Sequence, residues 1–345
     1  MVGHLRADVL DNDLTLVYIG VRIGLDHGWS HIYSLPLQHA LFIELRPHAT
    51  FNNVERFISP PPLAWLVLPL SPLGPMGATY AWLVISLIAL VAAWWMAAPG
   101  SMPQRALWLL GAAAWYPVLY GLSLAQPALM VVFLGAAAWW LAERDRPVLA
   151  GAVLALSVIK PQLTLLLPVA LLFAGRWRIV ASWAAAASLL AAASLLVVGG
   201  QGLHDYLALL NEAEHVDYNR YFTTAYVLGA GPGSYIVQAL VAATLTVAAY
   251  ANRHAGNARI FALGLVATAL GATYWHLQDY TVLVLAAWLF WRERPPAWQA
   301  VILLAVAVTA ELAWPLTPLP LLLGLTAWFA CLAIPSSRAA IPTRA

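Results

Sequence analysis

Charge is what this chain has least of. Asp, Glu, Lys and Arg make up only 9% of its 345 residues, against roughly 25% in soluble domains, which excludes an ordinary water-soluble enzyme. The net charge of +2 says nothing about nucleic acid, and no nucleic-acid partner is expected. A lone cysteine, Cys331, excludes an intrachain disulfide and reads as a small buried residue in the last apolar run. No cleavable signal is expected either, because Met1 to Ala7 runs directly into Asp8 with no apolar stretch between. Lysine is as scarce as cysteine: Lys160 stands alone, inside an otherwise apolar segment from Leu149 to Phe173.

What fills the chain instead is apolar. Hydrophobic residues account for 62% of it, and its 17 Trp and 13 Tyr suit either the water–lipid boundary or a packed core. Apolar runs between charged or Pro/Gly-rich breaks lie near 76–98, 105–121, 127–142, 147–159, 162–174, 179–199, 234–251, 259–275, 277–291, 297–313 and 319–335. This pattern predicts an all-α polytopic membrane protein with about 11 membrane segments. Several runs are shorter than the ~20 residues that cross a bilayer, so tilted or broken helices are expected.

Threading these runs alternately across a membrane sorts the charges. One set of breaks holds Arg105, Arg144, Arg146, Arg176, Arg178, Arg253, Arg259, Arg292, Arg294, Arg338 and Arg344 against Glu143, Asp145 and Glu293 alone, and reads as cytoplasmic. The other side receives 12 of the 15 acidic residues and both long segments. The chain then divides into an extracytoplasmic loop 1–60, an N-terminal bundle 61–199, a second outer loop 200–233 and a C-terminal bundle 234–345.

Polar residues at membrane depth follow the same sorting. Gln126, Lys160, His276, Asp279 and Glu311 all fall at the outer ends of their runs. Lipid-facing polar groups would be scattered without regard to side, so a single polar chamber opening outward is expected. An ammonium at bilayer depth costs about 3 kcal/mol on insertion scales. Lys160 therefore either faces that chamber or snorkels along its own stem to the interface. Gln126 reads as a sugar ligand or as a helix-end filler, and His276 as a site group or a structural donor.

The N-terminal segment is the richest in chemistry. Asp8, Asp11 and Asp13 precede a stretch in which Tyr18, Arg22 and Leu25 recur at helical spacing, so Asp11 or Asp13 is a candidate N-cap. The competing reading is a general base, a carboxylate at the water–membrane boundary beside the chamber. Three acids within six residues leave that choice open. Farther on, 57–75 (FISPPPLAWLVLPLSPLGP) is broken by prolines at 60–62, 69, 72 and 75 and reads as a re-entrant or interfacial element. His204, Asp205, Glu212, Glu214, His215 and Asp217 lack the spacing of a zinc site. That stretch, 204–221, reads as an amphipathic helix closing over the chamber, and no metal is expected.

Five pieces, in order, carry a resemblance. They are Asp13-Leu-Thr-Leu-Val-Tyr18, Gly28-Trp-Ser-His-Ile-Tyr33, Phe57-Ile-Ser-Pro-Pro-Pro62, Gly121-Leu-Ser-Leu-Ala-Gln126, and Leu149-Ala-Gly151 through Lys160-Pro161 to Gly175-Arg-Trp-Arg178. Together they resemble glycosyltransferase family 87 over nearly the whole chain, thinning after residue 200. The resemblance implies a GT-C-type helical bundle with extracytoplasmic loops, seated in a bacterial plasma membrane among membrane lipids. It also implies a hexosyltransferase that uses a polyprenyl-phosphate sugar, mannose above all, a lipid or glycan acceptor, and no cofactor. The family's Asp-x-x-x-x-Tyr pattern falls on Asp13 and Tyr18, which implies Asp13 as the base, with Asp11 in reserve, and reaction by inversion. Lys160, with Arg220 and His276, is expected at the donor phosphate, and Tyr18, Gln126 and Asp279 at the sugar or acceptor.

One departure stands out. Family members carry a membrane span before the catalytic loop, whereas little chain precedes Asp13 here, so either a start farther upstream or a loop without an anchor is expected. A transporter or flippase would also explain an intramembrane lysine and an outward chamber, but its signature of inverted repeats is not visible. A ligase moving a whole glycan from a lipid carrier is the third reading.

Overall fold

The computed structural model describes residues 8–51, 56–229 and 231–335. Met1 to Ala7, and Arg338 and Arg344 of the arginine-rich set, lie outside the described residues. Among the described residues all regular structure is helical. The order is α1 Asp13–Asp26, α2 Leu35–Leu45, α3 Pro61–Val67, α4 Gly74–Ala97, α5 Met102–Ala114, α6 Tyr116–Ser123, α7 Ala128–Ala142, α8 Pro147–Ala155, α9 Leu167–Phe173, α10 Trp177–Glu214, α11 Ala225–Leu228, α12 Pro232–Ala251, α13 Asn257–Leu270, α14 Leu283–Arg292, α15 Ala297–Leu312 and α16 Leu319–Ala333.

Proline explains where many of these begin. It occupies the first turn of α2 to α6, α8, α9, α12 and α16, where its missing N–H would be unbonded anyway and its fixed φ suits the helix. The triple proline therefore opens α3, which continues through the 3-10 turn Leu68–Leu73 into α4. At the other start signal the cap is neither Asp11 nor Asp13. Asn12 has the extended backbone a cap needs, and its side chain accepts from the Thr15 N–H at 3.0 Å.

Helix lengths vary widely. Three helical stretches, Pro61–Ala97, Trp177–Glu214 and Pro232–Ala251, are long and apolar enough to cross a membrane, and α5 with α6, bent by 56°, would make a fourth. The other apolar stretches that the sequence marks off form helices of 10–17 residues, or shorter ones extended by 3-10 turns, below the ~20 that span alone. The most buried helices, α13 and α14, are short, whereas the long α4 and α10 face largely outward. In α13 every residue from Arg259 to Leu270 is buried, whereas Ile88 and Trp95 of α4 and Leu196 of α10 are 62%, 62% and 84% exposed. Such outward apolar faces belong to an integral membrane protein.

Where helices touch closely, glycine permits it. A Cβ on Gly151 of α8 would lie 2.2 Å from the Ile179 carbonyl oxygen of α10, while one on Gly111 of α5 would meet nothing. Gly151→Ala should force α8 and α10 apart at a cost of about 1–3 kcal/mol. Its thermal unfolding midpoint in detergent should fall, and that of Gly111→Ala should not.

One end of the bundle is tied by arginine. Arg176 donates to the Asn257 side chain at 2.8 Å and to the Ala255 carbonyl at 2.8 Å. Arg259, itself buried, reaches the Cys331 carbonyl at 3.1 Å, Asn252 at 2.9 Å and Glu293 at 2.9 Å. Arg292 donates to Ala97 O at 2.8 Å. The Cys331 and Ala97 carbonyls are unpaired acceptors at helix C-termini, which guanidinium groups satisfy well, and Ala255 lies in the connection between α12 and α13.

Candidate functional site

A cavity of about 830 Å³ opens at the opposite end. Its walls come from the start of α1, the chain at 56–63, the α6–α7 turn, the junction at Lys160, the latter part of α10, the Asp217–Arg220 turn, the start of α12 and the connection at 273–278. Two short helical arms, Pro147–Ile159 and Pro161–Phe173, meet at Lys160. Each is about 20 Å long at ~1.5 Å per residue, short of the ~30 Å hydrocarbon layer. Their junction is thus recessed below the ends of the longer outer helices and lies at the cavity floor. Gly199, with φ 63 and ψ −171, kinks α10, and beyond it Tyr206, Leu210, Ala213 and Glu214 line the cavity. The 204–221 stretch is therefore mostly the end of a long helix rather than a separate surface helix. Its two glutamates are engaged: Glu212 pairs with Arg56, and Glu214 accepts from the Tyr235 hydroxyl at 2.8 Å and lies 3.7 Å from Arg220.

Four expected residues form one continuous polar string, three of them on the cavity floor and the fourth behind it. Gln126 Nε2 donates to Asp13 Oδ2, and Lys160 Nζ donates to Gln126 Oε1 at 2.7 Å. Lys160 also ion-pairs with Asp279 Oδ1, an electrostatic contact rather than an aligned hydrogen bond. The other Asp279 oxygen accepts from the His276 backbone N–H at 3.1 Å. These residues come from four separate segments. Each is held by its own local start or stop signal: Asp13 is the first residue of α1 because Asn12 caps it, Gln126 precedes Pro127, and Lys160 precedes Pro161.

Asp13, Gln126, Lys160, His276 and Arg220 all line the cavity. Others depart from expectation. Asp279 is fully buried and off the cavity wall, paired with Lys160. Tyr18 is also buried away from the wall, its hydroxyl donating to Ser71 O at 3.3 Å. Asp11 pairs with Arg46 at 3.0 Å, and Glu311 accepts from the Tyr116 N–H at 2.8 Å at the α5–α6 break; neither lines the cavity. His276 lies in a connection between helices, where burial pushes its imidazole down to about 4 despite the pull of Asp279. It is neutral at physiological pH, its Nε2 facing Asn219 Oδ1 at 2.9 Å and its Nδ1 facing the Gln278 amide at 3.4 Å. The ring is thus placed as a hydrogen-bonding group.

Sequence reasoning missed Arg56, which is buried and lines the cavity. The signal available for it was its place directly before the Phe57-Ile-Ser-Pro piece. It also missed Tyr206, Tyr218, Tyr235 and Tyr274 on the wall, since nothing in spacing separates wall tyrosines from the rest. A carboxylate pinned on one side, cations at Lys160, Arg56 and Arg220, and phenol groups suit a ligand with both hydroxyls and a negative charge.

Glycosyltransferase family 87 matches over residues 57–318. The match begins at Phe57, so the pieces at Asp13 and Gly28 fall outside it, and it runs well past residue 200 instead of thinning there. No match was found among curated proteins or among solved structures.

Proposed function

The chain belongs to glycosyltransferase family 87, and from that premise we propose that it moves one sugar, mannose in the first instance, from a polyprenyl-phosphate donor to a hydroxyl of a lipid or glycan acceptor. Asp13 is the base, the cavity faces the extracytoplasmic side, and the bundle holds about 11 membrane segments, the short central ones paired around the recessed floor. The single observation that carries the reading is the string from Asp13 to Asp279, which sets a carboxylate and an ammonium on one cavity floor.

The step balances as a direct displacement. Asp13 takes the acceptor hydroxyl proton as the new bond from acceptor oxygen to anomeric carbon forms. The bond from that carbon to the phosphate oxygen breaks on the opposite face, inverting the centre, and the phosphate leaves with the electron pair. Lys160 has three N–H donors; one goes to Gln126, and Asp279 steadies the ammonium by charge, so that a third donor can face the cavity. Its third stabilises the charge gathering on the leaving phosphate, which is worth more in the transition state than in the ground state. Arg220 assists from the wall. Leu14, Val17, Leu63, Trp82 and Leu210 supply an apolar lining suited to the prenyl chain.

Purified protein given a radiolabelled polyprenyl-phosphate mannose and candidate acceptors should form a covalently labelled product. Label carried across reconstituted vesicles without product would favour a transporter. Lys160→Met, made with Asp279→Asn so that no charge is left unpaired, should raise the donor KM and lower kcat. Unchanged values would remove Lys160 from the phosphate.

A further inference from the structure

We propose that Gln126 is a positioning residue whose amide Lys160 locks in one orientation, so that it donates to Asp13 and keeps that carboxylate in its proton-accepting form. The inference rests on the reading of Asp13 as the base. Its ground is the chemistry of the three partners. An ammonium only donates, an ionised carboxylate only accepts, and an amide has one end of each kind. With Lys160 Nζ 2.7 Å from Oε1, the NH2 group necessarily faces Asp13. Turning the amide over would set donor against donor at Lys160 and acceptor against acceptor at Asp13. Lys160 is itself held from behind by the fully buried Asp279, which is anchored on the His276 backbone N–H. Lys160 thus acts on Asp13 at one residue's remove. Donation to the charged form favours that form.

Three phenols feel the Asp13 charge, those of Tyr120 of α6, Tyr218 of the Asp217–Arg220 turn and Tyr274 beyond α13. Phenols do not change charge in the range where a carboxylate titrates. Lys160, Arg56, Arg220 and Glu214 are the charged groups elsewhere on the wall, with the His276 imidazole beside them. A change of charge at Gln126 therefore acts on Asp13 most directly.

Gln126→Glu is nearly isosteric, still pairs with Lys160, and places a like charge against Asp13. Its carboxyl titration, read by infrared difference against Asp13→Asn, should move up by about one pH unit or more. The base is lost as pH falls through a higher midpoint, so the acid limb of kcat/KM should move up with it. Gln126→Leu, which removes the donor, should shift both the same way by less. It also stands in if the glutamate variant does not fold. Lys160→Met with Asp279→Asn should again move the midpoint up, because the amide is no longer locked. A merely structural glutamine would lower activity equally at all pH values and leave the infrared midpoint in place, which overturns the proposal. A moved midpoint with the acid limb of transfer left in place supports positioning and overturns Asp13 as base; an unmoved midpoint in protein that transfers sugar overturns positioning alone.

Discussion

Asp13→Asn should lower the turnover of sugar transfer by about 100- to 10,000-fold, the range that a positioned general base contributes, while donor binding is kept. Asparagine has the same size and can present its amide oxygen to Gln126 Nε2, so the string and the cap at Asn12 persist. What disappears is the basic oxygen. The loss should therefore fall on kcat, with KM for the donor and the unfolding midpoint nearly unchanged. Asp11→Asn is the companion measurement. That carboxylate pairs with Arg46 and is partly exposed, so its removal should cost ~1 kcal/mol of stability at most and leave the rate within a few-fold of wild type. Initial rates with labelled donor decide the matter: if Asp11→Asn is the inactive variant and Asp13→Asn is not, the base is Asp11.

The second large effect is on stability. Asp279→Ala should destabilise the protein by about 3–5 kcal/mol, the usual cost of leaving one member of a buried ion pair alone. Asp279 has no exposure and Lys160 8%, so solvent reaches the ammonium only from the cavity side and replaces little of the lost partner. The amide of Gln126 would also lose the fixed ammonium that orients it. Replacing both charges with apolar side chains of similar volume, Lys160→Met with Asp279→Leu, should restore most of the stability without restoring transfer. Thermal unfolding in detergent, beside the transfer assay, separates the two. If Asp279→Ala unfolds at the wild-type temperature, the pair is not what holds the floor together.

The residues of this floor stood out in the chain because of where they are. Gln126, Lys160 and Asp279 interrupt apolar runs, and a polar group at membrane depth is costly enough that its presence alone is informative. Their partnership was not legible. Positions 13, 126, 160 and 279 are distant in sequence, and which of them touch depends on how the short helices pack. Tyr18 shows the opposite case: a motif position at good spacing whose hydroxyl is taken up by Ser71 O. The cap at Asn12 likewise turned on one backbone conformation among several acceptable side chains.

Composition and hydropathy by themselves determined an all-helical, membrane-embedded chain. The arginine pattern separated two sets of connections, because burial of apolar surface and the cost of charge in lipid act on each residue regardless of its neighbours. Tertiary structure alone decided how many of the apolar runs make helices long enough to cross, since 3-10 turns and kinks set helix ends as much as hydropathy does. It also decided that arginines such as Arg176, Arg259 and Arg292 tie helix ends together. And it decided that the only lysine faces a cavity with a buried aspartate behind it and a glutamine leading to Asp13. Hydrogen bonds and ion pairs act over a few ångströms in space, and only the packing of the helices brings such groups within that reach.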